Sequence, residues 1–142
     1  MTQIAIGSDH GGFEYKAKII DYLKEHNFEY EDMGTYTTDS CDYPIIAQKV
    51  AKEIVSGKAD KGILICGTGI GMSIAANKVK GIRAALCSDT FSARATRAHN
   101  NSNILCLGQR AIGECLALDI VDVWLHTDFE GGRHQRRIDE IE

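Results

Sequence analysis

The sequence predicts an α/β fold, a doubly wound five-stranded parallel sheet, from three observations. Five short apolar runs alternate with segments whose apolar residues recur at the helical period. The run Gly62-Ile63-Leu64-Ile65-Cys66 carries no polar residue, as expected of a strand buried on both faces. It then breaks at once into Gly67-Thr68-Gly69-Ile70-Gly71, a glycine-rich turn suited to lead from a strand into a helix.

The first strand is Ile4 to Ser8, ending in Asp9-His10-Gly11-Gly12, after which Phe13, Ala17, Ile20 and Leu23 fall on one helical face. Phe28 to Met33 alternates apolar and acidic residues, so the second strand lies near an edge. A polar loop runs from Gly34 to Tyr43. Pro44 suits the first position of a helix whose period is kept by Ala47, Val50, Ala51 and Ile54 until Ser56-Gly57 stops it. The third strand is Gly62 to Cys66, and the helix after Gly69 runs to about Lys78. Arg83 to Ser88 is the fourth strand, followed by the N-cap pair Asp89-Thr90 and a helix from Phe91 to about Asn100. Ile104 to Gly108 is the fifth, and Leu116, Ile120, Val123 and Trp124 mark a last core-facing helix.

Such an alternation implies a flavodoxin- or Rossmann-like sheet, with 2-1-3-4-5 the expected strand order and one domain over residues 1–142. Residues 126–142 form a helical tail. Its Ile138 and Ile141 cannot make a core of their own, so they must dock on the domain or on a partner subunit, the partner being the expectation. The order makes strands one and three neighbours at the topological switch point, where Asp9 and His10 would meet Cys66 to Gly71. Gly108-Gln109-Arg110 and the helix end His99-Asn100 are expected at or near the same side.

Composition narrows the function. A net charge of −4 over 142 residues argues against nonspecific attraction to nucleic acid or membrane. No apolar stretch approaches the roughly 20 residues of a membrane span, and Met1-Thr2-Gln3 leads into a strand without a signal-peptide pattern, so a cytoplasmic protein is expected. Five cysteines without a Cys-x-x-Cys pair speak against a disulfide framework and a zinc site; no metal or other cofactor is expected.

The glycine loop is a candidate anion cradle, because glycines let backbone amides face a ligand and the following helix adds its unpaired N–H groups. It fits neither the dinucleotide fingerprint, nor the P-loop, nor a cysteine phosphatase loop, whose arginine would stand at Met72. A tight turn beside an inert buried cysteine explains the loop alone as well as an oxyanion site does. Cys66 nevertheless ends a strand in front of helix dipoles, where a thiol becomes a usable base or nucleophile. Polar residues at strand ends of such a sheet, here Asp9 and His10, are ligand contacts more often than solvated bystanders. His99 at a helix end serves equally as a dipole cap. Arg133, His134, Arg136 and Arg137 cluster as a solvated helix face or, if the tail reaches an anion, as a phosphate clamp.

With Asp9-His10-Gly11-Gly12, Cys66 to Gly71, the Arg94 to Asn103 stretch containing His99-Asn100-Asn101, and Glu130-Gly131-Gly132-Arg133-His134 in this order, the chain resembles the type B ribose-5-phosphate isomerases over essentially its whole length. The wider family includes isomerases of allose 6-phosphate and galactose 6-phosphate. The resemblance implies metal-free interconversion of ribose 5-phosphate and ribulose 5-phosphate in the pentose phosphate pathway, by a homodimer or tetramer with sites at the subunit interface. By the same likeness Cys66 is the base that moves a proton between C2 and C1. Some members use a glutamate a few residues later, where this chain has Ala75 and Ala76. Gly67, Thr68, Gly69, Ile70 and Gly71 resemble the loop that holds the enediolate, and His99 the residue that opens the sugar ring with help from Asp9. His10, Asn100, Arg110, Arg133, His134 and Arg137 resemble sugar-phosphate ligands, some of the arginines coming from the partner chain. Two alternatives stand beside this: isomerisation of a six-carbon sugar phosphate, and a phosphosugar-binding module without catalysis.

Overall fold

The computed structural model describes residues 2–142. Its elements are β1 (Gln3–Ser8), α1 (Phe13–Glu25), β2 (Glu29–Asp32), α2 (Tyr43–Val55), β3 (Lys61–Cys66), α3 (Ile70–Asn77), β4 (Ala84–Leu86), α4 (Thr90–Asn100), β5 (Ile104–Gly108), α5 (Glu114–Leu125) and α6 (Arg133–Ile141). A short 3-10 turn, His10–Gly12, joins β1 to α1. All strand pairs are parallel, as the alternation predicts.

The sheet order is β2-β1-β3-β5-β4, so the expected 2-1-3-4-5 needs correcting at its end. Burial supplies the reason. β5 is buried at all five positions and takes the central place beside β3, whereas β4 is three residues long and leaves Leu86 exposed, as an edge strand can. The exchange moves a helix. The connection from β3 to β4 passes α3 over one face, and the return to β5 must pass α4 over the other, because such crossovers are right-handed. The two cores agree: α2 and α3 supply Val50, Ala51, Met72 and Ala76 to one, while α1, α4 and α5 supply Leu23, Ala93, Ile120 and Trp124 to the other.

Trp124 is fully buried, and its indole N–H donates to Ser102 Oγ at 3.0 Å. Beside it the buried Arg97 guanidinium donates to Ser102 O at 2.7 Å, to Asn101 Oδ1 at 2.9 Å and to Thr127 O at 3.3 Å. This network ties the end of α4 to the segment before α6, satisfying a charge that would otherwise be costly to bury. In the tail, Ile138 is buried against the chain's own surface, with α6 against α4, while Ile141 stays 71 % exposed.

Cys66, Cys87 and Cys106 are buried and Cys115 is exposed. Burial, with Asp89 adding to it, pushes the Cys87 thiol up from 9.0 to about 11, and burial raises Cys106 as well. The folded state therefore holds these protons more tightly than the unfolded chain does. Their contribution is complete below pH 9 and is lost as pH rises through about 11. Tyr22, raised by burial and by Asp122, acts in the same direction, while Lys61, lowered chiefly by burial, opposes it. Melting temperature followed by circular dichroism should accordingly hold up to pH 9 and fall between there and about 11.

Candidate active site

β1 and β3 pair in register, Ser8 beside Ile65, so the turns that leave them lie side by side at the switch point. A cleft there is lined by Asp9, Tyr43, Cys66, Gly67, Thr68, Ile70, Gly71 and Ile74. Asp9 is 8 % exposed; its Oδ1 accepts the Gly11 N–H at 2.8 Å, which fixes the carboxylate at the rim. Cys66 is 6 % exposed, and its Sγ receives the Gly69 N–H at 3.1 Å. A donor aimed at sulfur steadies negative charge on it.

The loop owes its path to two glycines. Gly69 has φ of +81°, in the left-handed region that disfavours a Cβ, and caps α3. Gly108, on the adjacent strand end, lies so close to the loop that a Cβ there would sit 2.5 Å from Thr68 O and 2.8 Å from Thr68 Cα. Thr68 Oγ1 accepts the Ile70 N–H at 3.2 Å, leaving its own proton free to donate. The first-turn N–H groups of α3 face this end of the sheet. Gly108→Ala should push the loop outward, and a shift of about 1 Å in such a site lowers turnover on the order of 10²-fold. Steady-state kinetics beside a melting curve would separate that loss from unfolding.

Arg110 follows β5 and reaches back over the loop. Its N–H donates to Gly67 O at 2.9 Å, and its side chain packs on the Gly67 backbone. His10 accepts the Cys41 N–H on Nδ1 at 3.3 Å, so the neutral ring carries its proton on Nε2. The polar loop is anchored by Lys16, which is 3 % exposed and donates to Asp32 Oδ1 at 2.7 Å and to Thr35 O.

Within one chain His99 does not join this cleft. Helices in a parallel α/β sheet run against the strands, so the C-terminal end of α4 lies at the strands' N-terminal side. Asn100 accordingly shares a pocket with Arg83 and Ala84, at the start of β4. This corrects the expectation that His99 and Asn100 sit near the strand ends. His99 instead stacks on His134, with centroids 4.4 Å apart and planes at 17°. Glu130 lies between them, Oε1 3.5 Å from His134 Nε2 and 3.9 Å from His99 Nε2. Arg133 and Arg137 are exposed on α6 and form no ion pair among the described residues. The structure thus holds two separate clusters: Asp9, Cys66, the 67–71 loop and Arg110 at one end, and His99, Asn100 and His134 at the other.

Two further residues stand at these clusters without a role read from the sequence. Tyr43 walls the cleft, its ring so close to Gly71 that a Cβ there would lie 2.6 Å from Tyr43 Cε1. Its position just before Pro44 was the available signal, since a helix start in this fold faces the same end as the strand exits. Glu130 stands in the motif that carries the family resemblance, but its spacing did not mark it as a neighbour of His99.

A thiol, a carboxylate and helix-start amides meet in the switch-point crevice, the place where proteins of the doubly wound α/β class bind small molecules. The chain belongs to the Ribose/Galactose Isomerase family, whose model matches residues 4–141. It is 57% identical over 140 residues to the putative sugar phosphate isomerase YwlF of Bacillus subtilis, covering 98% of this chain and 94% of that one. It is 50% identical over 141 residues to ribose-5-phosphate isomerase B of Escherichia coli, covering 99% and 95% of the two chains. The solved structure of Clostridium thermocellum ribose-5-phosphate isomerase B superposes with a TM-score of 0.98 at 54% identity, over 99% of this chain and 95% of that one.

Proposed function

We propose that the protein is a cytoplasmic, metal-independent aldose–ketose isomerase that interconverts D-ribose 5-phosphate and D-ribulose 5-phosphate, working as a homodimer whose two half-sites meet across the subunit interface. The observation that carries this is the cleft joining Cys66 and Asp9 to the 67–71 loop, in a chain of this family. The separation of His99 from Cys66 supports the dimer: a second copy brings His99, Asn100 and the α6 arginines to the cleft. So does the apolar surface about the cleft, where Ile70 (51 %), Ile74 (57 %) and Leu86 (42 %) stand exposed.

In this reading His99 of one chain protonates the ring oxygen while the Asp9 carboxylate of the other takes the anomeric hydroxyl proton, opening the ring to the aldehyde. The Cys66 thiolate then removes the C2 proton. Charge develops on the C1 oxygen, where loop amides and the Thr68 hydroxyl meet it. The Cys66 thiol returns its proton to C1 while the C2 hydroxyl proton passes to the C1 oxygen, leaving the C2 ketone and a C1 hydroxyl. Arg110, His10, Asn100, Arg133, His134 and Arg137 hold the phosphate and hydroxyls. The cations bind the phosphate equally in ground and transition states, so they set KM rather than kcat.

Turnover of ribose 5-phosphate, allose 6-phosphate and galactose 6-phosphate by purified protein, with a chelator present, tests the reading. Ribose 5-phosphate should show the highest kcat/KM, unchanged by the chelator. A six-carbon preference would transfer the assignment to that substrate, and binding without turnover of any of the three would leave a phosphosugar-binding module.

A further inference from the structure

The cluster of His99, Glu130 and His134 carries a second chemistry. We infer that it binds a borderline divalent transition metal, with Zn²⁺ the fitting ion, and that the bound ion halts turnover by occupying the His99 imidazole.

One ligand atom from each residue lies within 4.8 Å of the other two. Stacked, nearly parallel rings present both Nε2 atoms to one carboxylate oxygen. Zinc bonds of about 2.0–2.2 Å to nitrogen and oxygen place tetrahedral donors roughly 3.3–3.5 Å apart, so the donors close by about 1 Å and the His99 ring turns out of the stack to aim its Nε2 lone pair at the ion. The exposed members have room for both movements: His99 and Glu130 are 50% and 60% exposed, while His134, at 13%, is packed in place. The backbone is already folded for it. The Glu130 N–H donates to Ala98 O at 3.0 Å, pinning Glu130 beside the end of α4. Gly131 and Gly132, with φ of +71° and +60°, turn the chain so that His134 comes back to Glu130.

The donor set selects the ion. Two imidazoles and one carboxylate, with a fourth position open to water, suit Zn²⁺, whereas Ca²⁺ and Mg²⁺ want oxygen donors throughout. Asp128 lines the same pocket and adds negative charge, with Arg94 the opposing cation on its wall. Binding needs nothing from the isomerase assignment. The inhibitory half rests on the ring-opening role proposed for His99.

Equilibrium dialysis of the full-length protein and of Glu130→Gln against Zn²⁺, with ribose 5-phosphate turnover measured at the same zinc levels and after chelation, tests both halves. One Zn²⁺ should bind per chain, and Glu130→Gln should weaken it by at least about tenfold. Zinc should slow the unsubstituted enzyme reversibly, while Glu130→Gln should keep its own metal-free rate in the presence of the ion. Failure to bind Zn²⁺, or equal affinity and equal inhibition in the two proteins, would overturn the proposal and place any inhibition on the thiols. Glu130-dependent binding that leaves turnover untouched would uphold the site and overturn its inhibitory role, together with the role of His99. If ribose 5-phosphate is not turned over at all, the dialysis comparison alone decides the site.

Discussion

Cys66→Ala should lower kcat for ribose 5-phosphate by about 10²–10⁴-fold, the range lost when a positioned general base is removed, while the protein remains folded. The side chain is small and lies at the mouth of the cleft, 6% exposed, so truncation opens no large cavity. The structural penalty is the Gly69 N–H, which loses its acceptor at 3.1 Å, worth about 1–3 kcal/mol. Cys66→Ser separates the two roles. Its hydroxyl can accept that N–H and recover stability, but it is a far poorer base near neutral pH, so turnover should stay low. Thermal melts of both variants beside their kcat values check the pair.

His99→Asn should be equally damaging to net isomerisation of the cyclic aldose, by about 10²–10⁴-fold, yet spare the carbon chemistry. Ribulose 5-phosphate cannot close a five-membered ring through its phosphorylated oxygen, so it enters the site open. Exchange of its C1 hydrogen with solvent deuterium needs Cys66 and the loop but no ring opening. Proton NMR in D₂O should therefore show this exchange near the normal rate in His99→Asn and abolished in Cys66→Ala. Because His99 is 50% exposed, the asparagine variant should melt close to the parent.

What could be read from the sequence followed the strength of each local signal. β3 and its loop were legible because an unbroken apolar run ending in Gly67, Gly69 and Gly71 has few other folds open to it. The pairing of β1 with β3, and with it the meeting of Asp9 and Cys66, followed from right-handed crossovers. The order of β4 and β5 did not. Both are short apolar runs, and the choice depends on which one the helices cover: Leu86 is 42% exposed, whereas Ile104 to Leu107 are fully buried. That one exchange decides the face α4 occupies, while its direction sends His99 to the far end of the sheet. The place of Glu130 beside α4 was illegible for a related reason, since its partners Ala98 and His99 come from a helix distant in the chain and no periodicity links them.

In the proposed homodimer one active site draws Cys66 from one chain and His99 from the other. Mixing Cys66→Ala with His99→Asn protein under conditions that exchange subunits tests it directly. In a statistical mixture of twofold dimers about a quarter of the sites regain both residues, so activity should rise from near zero toward about a quarter of the parent's. Heterodimers isolated through two different affinity tags that stay as inactive as the single variants would contradict it.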